Sequence, residues 1–144
     1  MIENDTVRLL RECDAGIRMG VDSINEVIDK VQGDSLRDLL IRCRDGHESL
    51  GDEVRGLLED YHDRGKKPNP MAKSMSWIKT NVQIAWDHSD ETIASLMTDG
   101  CNMGVKSLSR YLNQYAAADE RSKSVARRLI ALESDTAVSM RGEL

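Results

Sequence analysis

Apolar residues recur at three- and four-residue intervals along most of this chain. Leu10, Cys13, Ile17, Val21, Ile24, Ile28 and Val31 form one such stripe, the spacing of a helix with a single buried face. Asn4, Asp5 and Thr6 offer a cap before it and Gly33 a stop after it, predicting a helix over 5–32. Asp34 or Ser35 then caps a second stripe, from Leu36 through Leu40, Cys43, His47, Leu50, Val54 and Leu57 to Tyr61, predicting a helix over 35–63. So short a connection between two long helices makes an antiparallel hairpin.

Beyond "HDRGKKPNP" the pattern shortens. Asn69 and Pro70 make a cap and first-turn pair, and Met71, Met75, Ile78, Val82 and Trp86 mark an amphipathic helix over 70–86. Ser89 or Asp90 opens a third long helix, over 90–116, with Ile93, Leu96, Met97, Gly100, Gly104, Leu108, Tyr111, Leu112 and Tyr115 on its stripe. "AAADE" turns the chain into a fourth, over 120–142, carrying Val125, Leu129, Leu132, Thr136 and Met140. The order hairpin, long crossover, hairpin predicts an all-α, up-down four-helix bundle whose crossover makes helices two and three parallel. A pseudo-twofold axis then relates the hairpins, and residues 1–144 form one domain around a single core.

One repeat sharpens this picture. "GIRMGVDSI" at 16–24 returns as "GCNMGVKSL" at 100–108, each with two glycines four apart inside a predicted helix. A glycine within a helix costs about 0.8–1 kcal/mol relative to alanine, so Gly16, Gly20, Gly100 and Gly104 need a compensating use. Close helix packing is the plain reading; room for a ligand or a partner side chain is the other. Counting turns places these glycines level with Met19, Cys43, His47, Cys101, Met103 and Glu133 in the central layers, where a site in such a bundle belongs.

Composition mainly excludes. The chain has no Phe, two Trp and three Tyr, so aliphatic residues and methionine build the core. The net charge of −5 is spread in alternating signs. Short basic runs, Arg64 to Lys67 and Arg121 to Arg128, are broken by acids or proline, and the expectation is no nucleic acid partner. No apolar run approaches the roughly 20 residues that span a bilayer, and the amino terminus lacks the regions of a signal peptide. The expectations are therefore no membrane partner and a cytoplasmic location. Cys13, Cys43 and Cys101, odd in number and each within a helical pattern, read as buried reduced thiols.

Two hairpins, a long crossover bearing a Trp, and the segments "CDAGIRMG", "SMSWIK" and "MTDGCNMGVKSL" resemble the ferritin-like superfamily, in an uncharacterised bacterial branch related to small stress-associated proteins. The resemblance implies a dimetal centre, held by a Glu from each of two helices and a Glu-x-x-His from each of the others. Here each pair keeps one half: Arg44 stands three before His47, and Thr136 three after Glu133. Helices one and three carry Ile17 and Cys101 at the corresponding places. The intact Glu59–His62 pair falls at the end of helix two and reads as a surface pair.

The expectation is thus a non-catalytic, degenerate ferritin-like protein without a complete di-iron centre. It acts by binding, with a second copy or another protein as partner and no cofactor. A competing reading places a single transition metal on Cys43, His47, Cys101 and Glu133, since Cys and His four apart on one helix face can both ligate zinc. A third places a small-molecule pocket at the glycines. No phosphate loop or nucleophile elbow is present, and no catalytic residue is nominated.

Overall fold

A computed structural model describes residues 2–63 and 88–144 of the chain. Among these, four long helices form the bundle: α1 (Ile2–Val27), α2 (Asp34–Asp60), α3 (Asp90–Gln114) and α4 (Glu120–Met140), with short 3₁₀ turns at Ile28–Lys30 and Arg141–Glu143. The helix expected over 70–86 and the basic run at Arg64 to Lys67 lie outside the described residues.

Polar contacts at the helix ends fix the directions. The Asp90 carboxylate, at the start of α3, accepts from the backbone N–H of Gln32 (2.9 Å) and of Gly33 (2.8 Å) at the start of α2. At the other end, Asp5 accepts from Ala117 N–H (3.0 Å) and Thr6 Oγ1 from Asp119 N–H (2.8 Å). Helices α2 and α3 therefore start at the same end and run parallel, with α1 and α4 opposed to them.

Several helix ends differ from expectation. Helix α1 begins at Ile2, ahead of Asn4, because Asp5 and Thr6 cap the α3–α4 turn rather than their own helix. It ends through a 3₁₀ turn at Ile28–Lys30, and Gly33 (φ −81°) serves as the N-cap of α2 instead of the stop of α1. Ser89 and Asp119 cap α3 and α4 directly, accepting from Thr92 N–H and Ser122 N–H. Helix α2 closes by bonds from His62 N–H to Glu59 O (2.9 Å) and Asp63 N–H to Leu58 O (3.0 Å). These are the paired bonds of a Schellman cap, in which the left-handed position is normally glycine.

The buried apolar side chains fall into two clusters rather than one core. One gathers Ile24, Val27, Leu36, Leu40, Ile93 and Met140 at one end of the bundle; the other gathers Leu9, Leu10, Val54, Leu58, Val125 and Leu129 at the opposite end. The layer between them holds the glycine repeat and two charged side chains.

His62 occupies the left-handed position with φ 55°. A non-glycine residue there costs about 1–2 kcal/mol per residue by the clash of its Cβ. His62→Gly is therefore expected to stabilise the fold by about 0.5–1 kcal/mol in urea denaturation, after allowing for the greater freedom of glycine in the unfolded chain.

Candidate functional site

The repeated glycines meet His47 and Glu133 at one place. His47 on α2 is 2% exposed and Glu133 on α4 is 7% exposed. His47 Nε2 lies 3.2 Å from Glu133 Oε1, joining helices from different hairpins. The other ring nitrogen, Nδ1, donates to the Cys43 carbonyl oxygen (2.8 Å), with the Cys43 Sγ 3.5 Å away.

Each second glycine of the repeat faces one of these side chains. A Cβ on Gly20 would stand 2.9 Å from His47 Cδ2 and Nε2, and a Cβ on Gly104 1.8 Å from Glu133 Oε2. Both distances are below real van der Waals contact, so α1 and α3 carry glycine where the inward side chains of α2 and α4 must fit. Of the two readings of the repeat, room for a partner side chain thus describes Gly20 and Gly104. Gly16 has nothing within 4 Å of its Cβ position.

Electrostatics hold His47 charged. Burial works to lower the His47 pKa, but hydrogen bonds with Cys43 and Glu133 raise it further, to about 10. With Nδ1–H directed to a carbonyl, the second proton sits on Nε2 toward Glu133, giving a buried imidazolium–carboxylate bond. Its remaining oxygen, Glu133 Oε2, has no hydrogen-bond partner. Burial pushes the Cys13 thiol up to about 12 and raises that of Cys101, with neighbouring acids adding to both. Buried protonated thiols are the opposite of reactive thiolates. All three cysteines are free.

Beside the pair lies a cavity of about 490 Å³. Among the described residues it is lined mainly by α1 and α3, including all four glycines of the repeat, with Cys43, His47, Cys101 and Glu133 also on its wall. Every residue singled out in the sequence for a metal or a pocket therefore borders one space. Several lining residues were not singled out: Glu12, Ser23, Ser107 and Tyr111. Their signal was present, since they extend the three- and four-residue spacing outward from the glycines. Asp14 was likewise unforeseen. It is 0% exposed, with the Arg18 guanidinium 3.2 Å away but outside hydrogen-bond geometry. Burial raises its pKa, opposed by Arg18 and Arg55.

The dimetal chemistry implied by the ferritin-like resemblance does not fit these residues. Both ring nitrogens of His47 are engaged, Arg44 reaches Asn25 Oδ1 (2.8 Å), and Thr136 donates to Leu132 O (2.7 Å). Ile17 supplies no ligand atom, and the Glu59–His62 pair is occupied in the α2 cap through its backbone. Cys43, His47, Cys101 and Glu133 border the same cavity, yet among the described residues no three His, Cys, Asp or Glu side chains are disposed to hold a metal ion. No helix of the described residues is long and apolar enough to cross a membrane.

No protein-family model matches the sequence, and no curated protein matches it. Among solved structures, the crystal structure of a DUF305 fragment from Deinococcus radiodurans is similar, with a TM-score of 0.76 and 12% sequence identity. The match covers 96% of this chain and 93% of that one. At such low identity the likeness is one of fold.

Two outcomes test this geometry. Gly104→Ala forces the Glu133 carboxylate aside and breaks the buried bond. It should lower stability by about 2 kcal/mol or more, whereas Gly16→Ala should raise it by about 0.5–1 kcal/mol, both read by urea denaturation. The raised His47 pKa means that its contribution is complete below its unfolded value of 6.5 and is lost as pH rises through about 10. Between pH 6.5 and about 7.5, well below the ordinary thiol value of 9.0, stability should therefore fall, and His47→Gln should flatten that slope.

Proposed function

We propose that this protein is a non-catalytic, ligand-binding four-helix bundle. On this reading it has a ferritin-like layout in which the place of a metal centre is taken by a His–Glu bond and an adjoining small-molecule cavity. The observation that carries the reading is the space itself. About 490 Å³ lies within the roughly 300–1,000 Å³ range of small-molecule pockets, and Gly16 leaves its wall open. The lining supports binding over catalysis: burial holds the Cys101 thiol protonated, and His47 has both nitrogens committed. A single metal ion on Cys43, His47, Cys101 and Glu133 is the competing reading: the four share one cavity wall, but among the described residues no three of them are disposed to hold an ion. It requires His47 to give up one of its two bonds.

Gly16→Leu puts a bulky side chain into the cavity from a position whose Cβ would meet nothing within 4 Å. A neutral solvatochromic dye such as Prodan should bind the wild type with a blue-shifted emission and fail to bind Gly16→Leu, whose thermal midpoint stays equal or rises. Equal dye binding by both proteins would refute the pocket. Added zinc should leave the wild-type midpoint unchanged; a zinc-dependent rise that His47→Ala abolishes would establish the metal reading in its place.

A further inference from the structure

The orphaned oxygen of Glu133 says what kind of ligand this cavity takes. Glu133 Oε1 is bonded to His47, while Oε2 is buried without a partner beside Gly104 on the cavity wall. A buried carboxylate oxygen left unpaired is costly, and the cost disappears when a donor arrives. Because Oε1 and Oε2 are separate acceptors, that donor adds to the His47 bond rather than displacing it.

Charge selects among donors. The unsatisfied acceptor on the described cavity wall, Glu133 Oε2, belongs to a carboxylate, which bonds a charged donor more strongly than a neutral one. An anionic ligand would meet that carboxylate and an imidazolium whose two N–H groups are already used. The rest of the wall is predominantly apolar, with the thioethers of Met19, Met97 and Met103 suited to a hydrocarbon or aryl body. We propose, building on the pocket reading above, that the ligand is a small organic amine: an ammonium head donating to Glu133 Oε2, with a compact apolar body against the methionines.

Three probes sharing one apolar body test this at neutral pH: 2-phenylethylamine, 2-phenylethanol and 3-phenylpropionate, with affinities measured by ligand-observed NMR titration against the whole protein. The amine should bind about tenfold tighter than the alcohol, as a charge-assisted bond implies, and the acid should be weakest. In Glu133→Gln the amine should fall to the affinity of the alcohol, while retained alcohol binding shows that the cavity survives the substitution. If that variant does not fold, trimethyl(2-phenylethyl)ammonium, which keeps the charge and the aryl body but has no N–H donor, should lose the preference of the amine in the wild type, and equal binding of the two cations would overturn the assignment. Equal binding of amine and alcohol, or an amine preference that survives in folded Glu133→Gln, would overturn the amine assignment and leave the pocket reading intact. Absence of binding by all three probes would overturn the amine assignment, and the Prodan result decides the pocket separately.

Discussion

The bond between His47 and Glu133 is the constraint around which the bundle is built. It links α2 to α4, and so one hairpin to the other, at the level where the apolar core is interrupted. Charges buried there gain little net stability over an apolar pair, but removal of either partner leaves the other uncompensated. The surrounding structure is organised to avoid that. The Cys43 carbonyl fixes the ring tautomer, the second glycine of each repeat clears space for one member of the pair, and an apolar cluster closes each end. Both hairpins use the same device: Gly20 receives the side chain from α2 as Gly104 receives the one from α4.

The ends of the bundle are tied by polar side chains acting across helices. Asp90 holds the entry to α2, while Asp5 and Thr6 hold the turn into α4. Backbone N–H bonds hold Asp90 below the ordinary carboxylate range. With both ends fastened and each filled with aliphatic side chains, the central layer can remain polar and partly open without loosening the helices. A cavity bounded by four glycines is compatible with a well-defined fold for that reason, since the packing that sets helix directions lies above and below it.

This geometry also explains why His47 and Glu133 do not make half a metal centre. In a dimetal site, carboxylate and imidazole groups point at a shared ion and are oriented by outer partners. Here His47 and Glu133 have turned to each other, and the neighbouring positions hold Arg44 and Thr136, each bonded within its own surroundings. What remains available is one carboxylate oxygen and an apolar space, an acceptor and a shape rather than a coordination sphere.

The four long helices, their order and the parallel relation of α2 and α3 were legible in the sequence, because a stripe at three- and four-residue spacing is a local property with one structural solution. The repeat identified the level of the site, and turn counting brought His47 and Glu133 to it from positions 86 residues apart. Tertiary structure alone decided the rest. Asp5 and Thr6 look like caps for their own helix, and only the bundle shows that the nearest orphan N–H groups belong to the α3–α4 turn. Whether a glycine admits a backbone, a side chain or a ligand depends on what stands opposite it, so Gly20 facing a ring, Gly104 facing a carboxylate and Gly16 facing open space are alike in sequence and different in space. The division of the core in two, the bonding of His47 to Glu133 and the orphaned oxygen have the same origin: they are distances between side chains on different helices, which periodicity along one chain does not encode.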